Sequence, residues 1–328
     1  MTVRVGVIGA GSMGINHARV LAELGSLSAI HDKEAERARG ATDRFRVNTL
    51  DTVAGLLEAV DAAVIAVPTV LHNDILADAV SRGVHVLVEK PISLEPTRTA
   101  EILRKAEAAG VIVATGHVER FNPAVAFARV ALQKQQLGKL ISLSARRVSS
   151  FPSRVRDVGV IMDLAIHDID VITYLAGARV RRVYATGGQS NGGNFEDHAN
   201  IILEFENGLI GTCEVNWLTP MKVRKLALTC DKKYVEIDYM SQSLRISSHV
   251  YTDMDPARLY DMPSQLSEQQ VNPERKEPLR LELEDFIAAI EGKRKPLVTG
   301  WDGVRAVEIA QAALSSMKTG RAVEMPLT

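Results

Sequence analysis

The stretch Val3–Gly14 reads VRVGVIGAGSMG, a short apolar run that breaks into glycines. Val3, Val5, Val7 and Ile8 are β-branched and nearly continuous, the pattern of a strand buried on both faces in a parallel sheet. Gly9, Gly11 and Gly14 follow at the spacing G-x-G-x-x-G, and Ile15–Leu24 then reads as a helix. The first glycine permits a tight turn, the second lets a pyrophosphate approach the backbone, and the third lets helix and strand pack closely. The helix start adds unbonded N–H groups and the positive end of a dipole. Asp32 closes the apolar run Leu27–Ile30, where its carboxylate can accept hydrogen bonds from a ribose 2′-hydroxyl and would repel a 2′-phosphate. Lys33 and Glu34 supply no arginine clamp. The reading is an NAD site.

Composition sets the outer bounds. A chain of 328 residues has room for two domains, and 46% hydrophobic residues can fill their cores. The net charge of −1 gives no global attraction to nucleic acid or to a membrane surface. Cys213 and Cys230 are the only cysteines and lack metal-ligand spacing, so no metal is expected and both read as core thiols of a reducing cytoplasm. No apolar run approaches the ~20 residues of a membrane span, and the N-terminus reads as the first strand rather than a signal peptide.

Residues 1–121 alternate strand and helix, which predicts a doubly wound parallel Rossmann sheet with helices on both faces. Ligands of such sheets sit at the carboxyl ends of the strands. That edge collects Gly9–Gly14, Asp32, Val67–His72, Glu89–Pro91 and Gly116–Arg120. From Asn122 the pattern changes. Helices are expected at Pro123–Gln135 and Gly159–Leu175, followed by long strands, with Asn207–Gly208 as a hairpin turn. Residues 122–328 are therefore read as one α+β domain with a large, open, mostly antiparallel sheet. Its uncovered face suggests a homodimer or homotetramer. Val250–Pro278 reads as a long connector, with a lid over the substrate as the alternative.

Lys90 follows the apolar strand Val84–Val88 at the ligand edge, where it could donate to a substrate oxygen; a solvated strand-end lysine is the plainer alternative. Pro91 could be cis and so direct it. Asp163 and His167 stand four apart on the expected helix, which stacks them on one face. A histidine titrates near neutrality, as a general base requires. Arg146, Arg147, Arg154 and Arg156 form a basic cluster that reads either as a solvated edge or as a phosphate clamp, since guanidinium binds phosphate in a bidentate manner. His72, His117, Arg120 and Asn122 could touch nicotinamide or substrate, or could cap and pack.

GVIGAGSMG with Asp32, AVPTVLH (Ala66–His72), VEKP (Val88–Pro91) and Asp163-x-x-x-His167 together resemble the glucose–fructose oxidoreductase, inositol dehydrogenase and rhizopine-catabolism (Gfo/Idh/MocA) family. The resemblance implies NAD(P)-dependent oxidation or reduction of a sugar or cyclitol hydroxyl, with Lys90, Asp163 and His167 catalytic. The implied cofactor contacts are Gly9, Gly11, Ser12, Met13, Gly14, Asp32, Val67, Pro68, Thr69, His72, Glu89 and Lys90. The implied substrate contacts are Lys90, His117, Arg120, Asn122, Arg147, Arg154, Arg156, Asp163 and His167. Gly116–Val125 and Ile141–Gly177 look like the prokaryotic UDP-N-acetylglucosamine 3-dehydrogenases, which oxidise the sugar 3-hydroxyl to a ketone. Ser149–Ser150 departs from the glycine and proline of the related loop. A free monosaccharide or inositol dehydrogenase, and a non-catalytic NAD-dependent sensor, are the alternatives.

Overall fold

A computed structural model describes residues 2–151, 158–249 and 266–326. The first sheet contains β1 (Val5–Ile8), β2 (Leu27–His31), β3 (Asn48–Thr49), β4 (Ala62–Ile65), β5 (His85–Val88) and β6 (Val113–Thr115). Helices α1 (Ser12–Glu23), α2 (Ala35–Phe45), α3 (Val53–Ala59), α4 (His72–Ser81) and α5 (Pro96–Ala108) alternate with them. Every pairing in this sheet is parallel. Its order is β3-β2-β1-β4-β5-β6, so the winding reverses between β1 and β4. β1 and β4 are buried along their whole length, as their unbroken apolar sequences require.

The remaining helices are α6 (Pro123–Gln133), α7 (Ile166–Ala176), α8 (Pro278–Glu291) and α9 (Gly300–Thr319). The second sheet contains β7 (Leu140–Ser150), β8 (Val180–Gly188), β9 (His198–Phe205), β10 (Ile210–Asn216), β11 (Leu218–Cys230), β12 (Lys233–Asp238), β13 (Ser243–His249), β14 (Leu266–Val271) and β15 (Val323–Glu324). Its order is β14-β13-β12-β11-β7-β10-β9-β8-β15. Among the described residues only the β7–β10 pairing of this sheet is parallel. β9 and β10 pair antiparallel around Asn207–Gly208, where Gly208 has φ +81°. Cys213 and Cys230 are buried free thiols on β10 and β11. On one face, Tyr184 pairs with Ile202, and Ile210 shares the neighbouring cross-strand row with Tyr234; all four are exposed by 40–47%.

Two expectations need correction. The chain separates into a unit of Met1–Phe121 with Glu277–Glu308, and a unit of Asn122–Lys276 with Ile309–Thr328. Glu277–Glu308 therefore does not belong with the rest of 122–328. Leu279, Leu283 and Phe286 on α8 join the buried cluster of Val3, Val5 and Val7. Their apolar spacing, at i, i+4 and i+7, says that a helix face is buried but not against which strand. Second, Val250–Pro278 is not loop throughout, because β14 pairs antiparallel with β13 at the sheet's edge. Its sequence LSEQQV is mostly polar, as befits an edge strand, and carries no two-residue alternation to betray it. The lid alternative falls on residues 250–265, outside the described residues.

Candidate functional site

The glycine-rich turn lies at the reversal of the first sheet, between β1 and α1, and the turn after β4 flanks it. Gly9 has φ +97°, and a Cβ there would lie 2.5 Å from the Ala66 carbonyl oxygen. A Cβ on Gly14 would lie 1.7 Å from the Gly9 carbonyl oxygen. Protein packing thus demands both glycines. Gly11 is different: a Cβ there would meet nothing within 4 Å. The structure leaves open space over Gly11, where a pyrophosphate can reach the backbone. Gly11 also caps α1, whose first turn has no side-chain cap and no acid. The first-turn N–H groups, including those of Ser12 and Met13, point their positive dipole end outward. These features fit a dinucleotide.

Asp32 follows β2 and braces the turn. Its Oδ2 accepts from Ala10 N–H at 2.6 Å and its Oδ1 from Glu34 N–H at 2.8 Å. Val67 and Pro68 follow β4, Pro68 exposed and Val67 half-buried. Thr69, 9% exposed, starts a short 3₁₀ turn. His72, expected to contact the cofactor, ties two turns together. Its Nε2 faces the Val67 carbonyl oxygen at 2.9 Å, and its Nδ1 faces those of Pro91 and Ile92 at 3.0 and 3.2 Å. Burial, only partly offset by those carbonyls, pushes its pKa below the ordinary histidine value.

Lys90 follows β5 and leads into a cis peptide at Pro91. Glu89 beside it is buried. Its Oε1 accepts from His17 Nε2 at 2.7 Å, and its Oε2 accepts from the Lys90 N–H at 3.1 Å. Burial would raise the Glu89 carboxyl, but the hydrogen bond from His17 and the charge of Lys90 outweigh it and hold the group below its ordinary value. Glu89 is therefore ionised. His17 is absent from the expected set, yet it lies with Gly14, Ala18 and Leu21 on the buried face of α1. A polar residue on a helix's inward face, with a glutamate closing a strand of the same sheet, was the available signal.

Arg120, expected to contact the substrate, is engaged within the first unit. Only 6% exposed, it faces Asp302 at 3.3 Å and donates to the Leu297 carbonyl at 3.4 Å. Burial would raise the Asp302 carboxyl, but the Arg120 charge and the bonds from Thr299 and Arg305 bring it down to about 2. His117, at 1% exposed, is buried as well.

In the second unit, Asp163 and His167 do not share an unbroken α-helix. Ile161–Ala165 is a π-helical turn, and α7 begins at Ile166. A π turn bonds i to i+5 and re-aims its side chains, a device common at functional sites. Asp163 is buried and His167 half-buried. The helix start is held by Glu196, whose Oε1 accepts from Ile161 N–H at 3.0 Å. A Cβ on Gly159 would collide with that carboxylate, at 2.1 Å.

The basic cluster does not hold together. Arg146 and Arg147 are neighbours on β7 and so face opposite sides of the sheet. Arg146 is exposed and pairs with Glu214 at 3.0 Å. Arg147 is 2% exposed and grips Asp168 with two bonds, of 2.8 and 3.0 Å. Two nitrogens of its fork are thus engaged by a buried carboxylate. Arg154 and Arg156 lie outside the described residues. Asn122 is a cap: its Oδ1 accepts from Ala124 N–H at 3.1 Å, opening α6, and its Nδ2 donates to the Tyr239 carbonyl at 2.9 Å. Among the described residues no group of His, Cys, Asp and Glu is placed to hold a metal ion. No helix there is long and apolar enough to cross a membrane.

A doubly wound sheet with this turn at its reversal, accompanied by an α/β unit on a nine-stranded sheet, defines an NAD-binding oxidoreductase. The chain belongs to the Gfo/Idh/MocA oxidoreductase family: the NAD-binding Rossmann fold of that family matches residues 3–117, and its C-terminal alpha/beta domain matches residues 131–325. The chain is 30% identical to the UDP-N-acetylglucosamine 3-dehydrogenase of Acidithiobacillus ferrooxidans over 308 residues, covering 94% of this chain and 95% of that one. It is 27% identical to inositol 2-dehydrogenase 2 of Saccharopolyspora erythraea over 337 residues, covering 98% and 94%. A solved structure of the Acidithiobacillus ferrooxidans UDP-N-acetylglucosamine 3-dehydrogenase superposes with a TM-score of 0.88 at 28% identity, covering 97% of this chain and 98% of that one.

Proposed function

We propose that this chain is an NAD-dependent dehydrogenase that oxidises the 3-hydroxyl of UDP-N-acetylglucosamine to the 3-keto sugar. The observation that carries the reading is the similarity, across nearly the full length of both chains, to a UDP-N-acetylglucosamine 3-dehydrogenase. Hydride acceptance is the chemistry that bound NAD supplies, held by Gly9–Gly14, Asp32 and the turn after β4. His167 takes the hydroxyl proton as general base. Lys90, at the carboxyl end of β5, stabilises the alkoxide as it develops. Asp163 orients the sugar and the imidazole. General-base and electrostatic contributions of this kind are each worth ~10²–10⁴-fold.

One observation favours a second reading. Arg147 is bound to Asp168 in the interior, which removes one support for a phosphate clamp and favours an uncharged substrate such as a free sugar or inositol. A panel of UDP-sugars, free sugars and cyclitols, each with NAD and NADP and read by NADH or NADPH absorbance and product mass, separates the two. Oxidation of UDP-N-acetylglucosamine at C3 is expected; turnover of cyclitols alone would replace the first reading with the second. Lys90→Met and His167→Ala are expected to lose turnover while keeping NAD affinity.

The exposed face carrying Tyr184, Ile202, Ile210 and Tyr234 supports self-association of two or four copies through it. Light scattering at the mass of one chain would reject this.

A further inference from the structure

We propose that His17 is a positioning residue for Lys90, acting through the buried carboxylate of Glu89. The proposal rests on the role assigned to Lys90 above and extends it to a residue given no role there. His17 is fully buried on α1, only three residues beyond Gly14. Its Nε2–H donates to Glu89 Oε1 at 2.7 Å. Its Nδ1 is buried with no hydrogen-bond partner among the described residues, and because an ionised carboxylate can only accept, Nε2 is the donor of this bond. The other oxygen, Oε2, accepts the N–H of Lys90 itself at 3.1 Å. One carboxylate thus bridges the helix that opens at the glycine-rich turn and the peptide from which Lys90 departs.

Space around the bridge is tight on the far side too. A Cβ on Gly116 would stand 3.1 Å from Glu89 Oε2 and 3.3 Å from Glu89 Cα. Gly116 is therefore the residue that leaves Glu89 room to turn toward both partners. A buried carboxylate needs its hydrogen bonds to remain ionised, so loss of His17 both frees one oxygen and weakens the hold on the Lys90 amide. A bond to a charged group is strong enough for its loss to appear as a tenfold or larger change.

The test compares His17→Leu, which removes the donor, with His17→Gln, which restores one. Hydrogen–deuterium exchange of the peptide carrying the Lys90 N–H is followed alongside peptides of β1 and β6, with NAD affinity by calorimetry and kcat with the sugar. In His17→Leu the Lys90 peptide is expected to exchange at least about tenfold faster while β1 and β6 stay protected. At the same time kcat should fall at least about tenfold with NAD affinity within about threefold, and His17→Gln should recover most of both. Wild-type exchange at Lys90, or an increase spread evenly over the unit, overturns the proposal. If the leucine variant does not fold, Glu89→Gln, which keeps the volume and removes the charge, carries the same two readouts. The exchange arm uses no substrate, so it decides the positioning role even if the sugar assignment fails; that assignment is judged separately by Lys90→Met.

Discussion

Replacing Arg147 by methionine separates a structural guanidinium from a substrate clamp. The side chains of Arg147 and Asp168 are 2% and 1% exposed and share bonds of 2.8 and 3.0 Å, with the guanidinium 5.1 Å from the centre of the Tyr239 ring. Removing one member of such a pair strands a buried charge, at a cost of about 3–5 kcal/mol. Against a total stability of about 5–15 kcal/mol this is a large fraction. In a unit of this size it corresponds to a fall in Tm of about 6–20 °C. Because the guanidinium is spent on Asp168, the fraction that remains folded should keep its KM for UDP-N-acetylglucosamine within about threefold. Adding Asp168→Asn to Arg147→Met removes the stranded charge and should return about half of the lost stability. The assays are urea unfolding followed by circular dichroism, and initial rates over a range of sugar concentration. A variant within about 1 kcal/mol of wild type whose KM rises more than tenfold would refute the structural assignment and reinstate the clamp.

Gly14→Ala puts a methyl 1.7 Å from the Gly9 carbonyl oxygen, so NAD affinity measured by calorimetry should weaken at least about tenfold; retained affinity would show that the turn tolerates the shift. Asp32→Ala removes the acceptor that faces Ala10 N–H at 2.6 Å and the charge that repels a 2′-phosphate. The ratio of kcat/KM for NADP over NAD should then rise about tenfold or more, and an unchanged ratio rejects the ribose role. Asp302, held at about 2 instead of 3.8, contributes about 2 kcal/mol that is present above pH ~4 and is lost as pH falls toward ~2. In Arg120→Met the acid-unfolding curve should lose part of this decline, the bonds from Thr299 and Arg305 keeping the rest, and a curve that superposes on wild type would remove Arg120 as a cause.

The turn chemistry of the first unit was legible because it is local. Gly9, Gly11 and Gly14 answer to a turn a few residues long, and the apolar runs of β1 and β4 declare burial on both faces without reference to anything distant. The hairpin at Asn207–Gly208 was legible for the same reason. What the chain hid was the choice of partner. Arg146 and Arg147 look like one basic patch in sequence, but the two-residue period of β7 sends one to solvent and the other inward, and nothing local names Asp168 as its acceptor. His17 shows an inward-facing polar side chain on α1, yet Glu89 stands 72 residues away.

The same distinction explains α8. Its apolar face is clear, and chain order suggested that it would pack with its neighbours in sequence. Leu283 and Phe286 instead join the cluster under β1, some 280 residues earlier in the chain. A helix face is satisfied by any apolar surface of the right width, so sequence pattern fixes that it is buried and leaves the location to whichever surface is still uncovered. A buried charge is less tolerant, because only an opposite charge or a hydrogen-bond partner can accompany it. Inward-facing polar residues such as His17 and Arg147 therefore hold more information about long-range pairing than the apolar residues around them. Conservative changes at those two positions should disturb the protein more than comparable changes in the apolar clusters.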